Sequence, residues 1–168
     1  MEMREVHLRD GMPTGRIVEK HAPRNPGEYF LHAVAILKTQ DGRYVLQQRS
    51  LKARYYPGKW DVTGGGVRAG ETTLQAAIRE TYEEMGITAN ESDCRHMLRY
   101  VTDWEDGTGG LIVDMYAVRA RIPDAGVKFD PAEVNAVKIV DYAEYAEAIR
   151  FNKTEEFMEA VAAVDALF

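Results

Sequence analysis

One amphipathic segment, Thr72 to Met85, restricts the fold of this chain more than any other feature. Thr72 followed three residues on by Gln75 is a capping-box pattern, and Gly86 stands where a helix can end in a left-handed residue. At about 100° per residue, Leu74, Ala77, Ile78, Thr81 and Met85 fall in one sector and form an apolar stripe. That stripe needs an apolar surface to cover, and the flanking segments are strand-like, so the surface is a sheet.

The strands are read from β-branched and apolar runs bounded by turn residues. Phe30 to Leu37 and Tyr44 to Gln48 flank Asp41-Gly42, which predicts a hairpin. Trp60 to Thr63 is a brief strand running into Gly64, Gly65 and Gly66. Met97 to Thr102 and Leu111 to Arg119 are joined by a glycine-containing loop at Glu105 to Gly110, and Val137 to Val140 is a last strand. Upstream, Arg4 to Lys20 reads as two short strands around Asp10-Gly11-Met12-Pro13, and His21 to Gly27 as a connector. Two helices close the chain, capped by Asp141 with Glu144 three on and by Asn152 with Glu155 three on; Phe157, Val161, Val164 and Phe168 keep helical spacing. Irregular alternation of strands and helices points to a mixed sheet covered by helices, an α/β (α+β) arrangement. Residues 1–28 form an N-terminal β-hairpin extension and connector, and 29–168 the main domain.

Composition narrows the function. With 168 residues, 45% of them hydrophobic, the chain can bury a core as one domain. One cysteine, Cys94, makes no internal disulfide, and no apolar run approaches the ~18 residues that span a bilayer. The N-terminus has no apolar segment of signal-peptide type, so the expected location is the cytoplasm. A net charge of −6 disfavours a nucleic-acid polymer as partner. The exposed-strand potential of the N-terminal segment points to a homodimer.

The chemistry rides on the same helix. Glu80, Glu83 and Glu84 share one helix face, where three carboxylates repel unless a hard divalent cation neutralises them. Counted from Gly65, Glu71 follows after five residues, Arg79-Glu80 after seven more, then Glu83-Glu84 and Gly86-Ile87. This pattern resembles the Nudix box, G-x5-E-x7-R-E-U-x-E-E-x-G-U, with U a bulky aliphatic residue. All fixed positions match, which chance delivers about once in a million chains of this size. Thr81 departs at the first U position and predicts slightly weaker packing.

The resemblance implies a Nudix-type α/β/α sandwich and a hydrolase that cleaves a diphosphate linkage, in a nucleoside diphosphate derivative or similar organic diphosphate, with Mg²⁺ or Mn²⁺. It implies metal binding by Glu80, Glu83 and Glu84, an orienting role for Arg79 and a supporting one for Glu71. The glycines around Gly65 would form a loop whose backbone approaches metal and phosphates closely. The base that activates water is Glu80, or instead Glu133, Glu105 or Asp106. Arg49, Lys52, Arg54 and Lys59 are four cations within eleven residues, suited to hold the substrate diphosphate. Tyr29, Phe30, Tyr55, Tyr56, Trp60 and Trp104 are candidates to stack on a nucleobase.

The stretch from Gln48 to Trp60 is similar to the isopentenyl-diphosphate-isomerase-like branch of the superfamily. Isomerases there carry a cysteine and a histidine after the tryptophan; this chain has Asp61-Val62-Thr63 and the glycines, and its box is intact. Cys94 lies beyond the helix and reads as a small buried residue. Hydrolysis is the leading reading, with an isomerase or a non-catalytic nucleotide-binding module as alternatives.

Overall fold

Strand β3 (Glu28–Thr39) organises the molecule, because both its faces are buried. The computed structural model describes residues 1–168. Ala33, Ala35 and Leu37 pack on one face with Val67, Ala76, Ala77, Met85 and Ile87, while Val34 and Ile36 pack on the other with Tyr145, Ile149, Phe157 and Val161. Along one edge β3 pairs in parallel with β8 (Gly109–Ala120), from Glu28↔Gly109 to Thr39↔Ala120, and β7 (Cys94–Asp103) lies antiparallel outside β8. The other edge is shared in turn. β1 (Met3–His7) takes Tyr29 and Phe30, β6 (Thr63–Gly66) takes His32 to Ala35, and β4 (Tyr44–Arg49) takes Lys38. β2 (Pro13–Glu19) pairs with β1, and β4 carries β5 (Trp60–Asp61) and β9 (Val134–Val140). The result is a nine-stranded mixed sheet between α1 (Thr73–Met85) on one face and α2 (Tyr142–Ile149) with α3 (Glu155–Ala163) on the other.

The turn at Asp41-Gly42 forms, with Thr39 N donating to nothing farther than Arg43 O at 2.8 Å, yet the strands it joins register only at Lys38↔Tyr44. Beyond that pair β6 occupies the edge of β3 and β9 occupies β4, so the expected hairpin opens into a split. Gly64 to Gly66 are also not a loop. They are strand, paired to β3, and none has a positive φ.

The helix that sets the fold is capped as its sequence dictates. The Thr72 hydroxyl accepts from Gln75 N at 3.1 Å, the Gln75 side chain accepts from Thr72 N at 2.9 Å, and Gly86 ends the helix at φ 64°. Thr81 is buried and donates to Ala77 O at 2.7 Å, so its hydroxyl is satisfied within the helix. At α2 Asp141 caps Glu144 N at 2.9 Å. At α3 the cap is Thr154, which accepts from Phe157 N at 3.2 Å, and not Asn152. Asn152 lies in a 3₁₀ turn, where its side-chain oxygen accepts from Lys153 Nζ at 2.6 Å. No helix is long and apolar enough to cross a membrane.

The N-terminal hairpin continues the same sheet. Tyr29 OH donates to Asp103 at 2.6 Å, Arg9 pairs with that carboxylate, and Arg16 pairs with Glu28. A backbone bond from Ala69 N to Met3 O, 2.8 Å, fastens β1 to the segment leading into α1.

Candidate active site

The polar face of α1 converges on one guanidinium. Arg79 donates from Nε to Glu71 at 2.7 Å, from Nη1 to Glu80 at 2.6 Å and Glu83 at 2.9 Å, and from Nη2 to Glu71 at 2.9 Å and Gly66 O at 3.0 Å. Arg68 adds a second cation on Glu83 at 3.1 Å. Two arginines therefore face four carboxylates once Glu84 is included, and the face keeps a surplus of negative charge. Burial pushes the Glu71 carboxyl up, but Arg79 and the Arg68 N–H outweigh it and leave its pKa lowered. At Glu80 burial wins over Arg79, and the pKa is raised.

Glu84 stands apart. It is buried in the split of the sheet and has no cationic partner; its carboxylate accepts from Gln47 Nε2 at 3.1 Å and Gly64 N at 3.2 Å. Burial, then repulsion from Glu80 with a smaller part from Glu133, pushes its pKa up to about 8. Such a group binds its proton more tightly folded than unfolded. It therefore favours folding below its ordinary value of 4.5, and that contribution fades as pH climbs toward 8. We expect the melting temperature of metal-free protein to fall across this window by several degrees through Glu84. Millimolar Mg²⁺ should flatten the fall, because a cation that binds only the folded state stabilises it by mass action. A calorimetric series at pH 5 to 8 with EDTA or Mg²⁺ measures both; an unchanged slope with Mg²⁺ counts against the metal site.

The glycines before the helix make room for charge. A Cβ on Gly65 would strike the Glu80 carboxylate, one on Gly66 the Arg4 guanidinium, and one on Gly64 the carbonyl of Ala33. The expected close approach is there, made by strand backbone. No three acidic, histidine or cysteine side chains converge at metal-binding geometry, because Arg79 spreads Glu80 and Glu83 while Gln47 and Gly64 hold Glu84. The donor set nevertheless fits a hard divalent ion. It is all carboxylate oxygen, overcharged, and includes a buried member without a counter-ion.

On the far face of β6 lies a cavity of about 410 Å³, lined by nonpolar residues from β3, β7 and β8, by Tyr55, Tyr56 and Phe157, and by His32, Arg49, Asp61 and Lys153. Its rim is aromatic: Tyr56, held at φ 50°, meets Phe151 edge-on at 5.3 Å. Asp61 anchors the wall, accepting from Lys153 Nζ at 2.8 Å with Arg49 at 3.9 Å.

Of the four loop cations, the structure brings Arg49 into the cavity. Lys52, Arg54 and Lys59 stay exposed outside its lining, Arg54 over the Tyr55 ring and Lys59 over the Phe151 ring. Glu133 is exposed; its carbonyl accepts from Ser50 N at 2.9 Å, which holds it beside β4 and within electrostatic reach of Glu84. Asp106 closes its own turn through Thr108 at 2.7 Å, while Tyr29 and Trp104 lie off the cavity lining, the latter under the Arg24 guanidinium. Cys94 is buried, donates to Asn90 O at 3.4 Å, and has its thiol pushed up to about 11 by burial, so it is inert. Sequence reasoning missed Gln47, Asp61, His32 and Lys153. Gln47 and Asp61 lie opposite each other in register, a pairing of β4 and β5 that no local pattern announces.

A carboxylate-bearing helix laid across a split mixed sheet, with a cationic cavity behind it, defines a class of protein. A NUDIX domain family model matches residues 29–161, and the chain belongs to the Nudix family. Nudix hydrolase 3 of Arabidopsis thaliana is 29% identical over 150 residues, 84% of this chain; the chain spans only 19% of that protein's length. Isopentenyl-diphosphate Delta-isomerase of Cutibacterium acnes is 27% identical over 145 residues, 82% of this chain and 70% of the enzyme. The crystal structure of DR0079 from Deinococcus radiodurans superposes with a TM-score of 0.69 at 20% identity, covering 97% of this chain and 99% of that one, and shares the fold.

Proposed function

We propose that this chain hydrolyses the diphosphate linkage of a nucleoside diphosphate derivative or similar organic diphosphate, with Mg²⁺ or Mn²⁺ held by Glu80, Glu83 and Glu84. The observation that carries the reading is Glu84, a buried carboxyl without a cationic partner on a helix face that is already overcharged. The divalent ion would supply charge neutralisation on the phosphoryl oxygens and lower the pKa of water.

The remaining work falls to the chain. Arg79 ties Glu71, Glu80 and Glu83 to the Gly66 carbonyl and so fastens the helix face to β6, and a bound cation would draw Glu80 and Glu83 off it. Gly65, lacking a Cβ, lets the Glu80 carboxylate lie directly against the strand backbone. Arg49, whose Nε is anchored on Tyr55 O at 2.9 Å, offers its two terminal nitrogens to a phosphate. Glu80 or Glu133 takes the proton from the attacking water. The cavity is large enough for a nucleoside, with Tyr55 and Tyr56 to stack on a base and Asn152 and Thr154 to meet its polar edge. No cysteine reaches this cavity, and the position after Trp60 is an aspartate bonded to Lys153, which speaks against the isomerase reading. A cytoplasmic location and a homodimer through the free edge of β2, where Ile17 is exposed, complete the proposal.

The test is a panel of nucleoside di- and triphosphates, nucleotide sugars, dinucleotides and prenyl diphosphates, each with Mg²⁺, Mn²⁺ or EDTA. We expect release of a phosphate-bearing product from at least one nucleotide, abolished by EDTA. Silence across the panel at high protein concentration removes the enzyme reading and leaves the binding module.

A further inference from the structure

We propose that Arg4, delivered by the N-terminal hairpin, joins Arg49 and Lys153 around His32 as an anion subsite for a substrate phosphate, on the face of β6 away from the glutamates. The inference rests on the diphosphate reading and deepens it: it adds a binding residue from outside the matched family segment of 29–161. It also selects a substrate with a phosphate beyond the one attacked.

The two faces of β6 separate the charges. Gly65 and Val67 face α1, where Glu80 lies against the Gly65 backbone. Gly66 faces the other way; it pairs in register with His32, and the Arg4 guanidinium fills the space its missing Cβ leaves. Arg4 thus stands beside His32, which lines the cavity together with Arg49 and Lys153; Arg4 itself lines a neighbouring pocket with Lys20, Arg24 and Trp104, and the two share Leu111. These come from four separate elements, β1, β3, β4 and the segment before α3.

The charged groups around His32 are Arg4 from β1, Arg49 from β4, Lys153 before α3, Asp61 from β5 and Glu2 beside Arg4; Tyr100 from β7 completes the wall. Both acids are committed. Glu2 accepts from Arg4 Nε at 3.1 Å and Nη2 at 2.8 Å, and Asp61 accepts from Lys153 at 2.8 Å. Glu2 also accepts from Lys20 Nζ at 3.1 Å, so four cations against two acids leave two positive charges. Arg4 Nη1 and both terminal nitrogens of Arg49 make no hydrogen bond, so directional donors are free to meet a phosphate. His32 has no hydrogen-bond partner either. Burial, then Arg4, Arg49 and Lys153, hold its imidazole at about 4, so the ring is neutral and senses all three cations. A neutral isoprenoid tail here would leave these donors desolvated and unpaired; a phosphate satisfies them.

The bland alternative is that Arg4 only staples the hairpin through Glu2. Imidazole NMR on metal-free wild-type protein in EDTA separates the two, with inorganic pyrophosphate as probe and His32 assigned from the His32→Gln variant. A bound anion beside the ring stabilises the imidazolium, so saturating pyrophosphate should raise the His32 pKa by about one unit or more. Arg4→Gln should raise it in the free protein and weaken pyrophosphate binding about tenfold, and Arg4→Lys should restore most of the affinity. Pyrophosphate that saturates without moving His32, or that binds Arg4→Gln with unchanged Kd, overturns the subsite. If Arg4→Gln does not fold, Arg4→Met takes its place, and an unchanged pyrophosphate Kd in that variant overturns the subsite. No turnover is measured, so a failed hydrolysis panel and a failed subsite are separate outcomes.

Discussion

Glu84→Gln should abolish most of the hydrolysis and, in the same protein, raise the melting temperature of the metal-free form at pH 8. The two effects come from one cause. Ionised Glu84 sits buried with Gln47 and Gly64 as its only hydrogen-bond donors, and burial is the main reason its pKa rises from 4.5 to about 8. Glutamine keeps the shape and can still accept from both donors through its carbonyl oxygen, but it carries no charge to desolvate. Each pKa unit corresponds to about 1.4 kcal/mol, and in a domain of this size each kcal/mol moves the melting temperature by about 2–4 °C. A gain of several degrees is therefore expected even after discounting the shift heavily, and the slope of stability between pH 5 and 8 should flatten. Loss of a charged group that acts in the transition state costs about 10²–10³ in kcat. Glu83→Gln should share the loss of activity without the gain in stability, because Glu83 is exposed and paired with Arg79 and Arg68. Calorimetry and initial rates on both variants measure this. Full activity in Glu84→Gln, or a lower melting temperature, would make Glu84 a structural residue.

How much of this was legible in the sequence depends on how local the cause is. The caps of α1 and α2, the left-handed Gly86, and the hairpin at Asp10 to Pro13 follow from residues within a few positions of one another, and the structure has them. The glutamate spacing likewise put Glu80 and Glu83 on the face that Arg79 gathers, while Glu71 came from the box pattern and Glu84 is held instead by Gln47 and Gly64. What local pattern could not supply was which strand wins an edge. Asp41-Gly42 does turn the chain, but whether β4 stays on β3 depends on β6 and β9, which lie far away in sequence. The glycine run reads as loop because glycine weakens strands in isolation. Here Glu80 on one face and Arg4 on the other exclude a Cβ, and the β3 edge supplies the missing order. Asn152 and Thr154 are both good caps; Asn152 is taken up in the 3₁₀ turn, bonded to Lys153, and Thr154 caps α3 instead.

Arg79 is the residue whose loss the fold should tolerate least. Arg79→Ala deletes five hydrogen bonds from one partly buried guanidinium, to Glu71 twice, Glu80, Glu83 and the Gly66 carbonyl. It leaves Glu71, Glu80, Glu83 and Glu84 facing each other with Arg68 alone. Breaking such a network by removing one partner costs about 3–5 kcal/mol, so the melting temperature at pH 7 should drop by roughly 10 °C. The dependence on pH has a definite sign. Arg79 helps to lower the pKa of Glu71 on folding, so that contribution is present above 4.5 and disappears as pH falls through the lowered value. The gap between wild type and variant should therefore narrow as pH falls below 4.5. Arg79→Lys should recover part of the stability, since an ammonium supplies the charge but cannot reach three carboxylates and a carbonyl in one plane. Millimolar Mg²⁺ should rescue Arg79→Ala by more degrees than it adds to wild type, because the freed carboxylates no longer compete between guanidinium and metal. If Mg²⁺ shifts both proteins equally, the glutamates that Arg79 gathers are not the ones the cation uses.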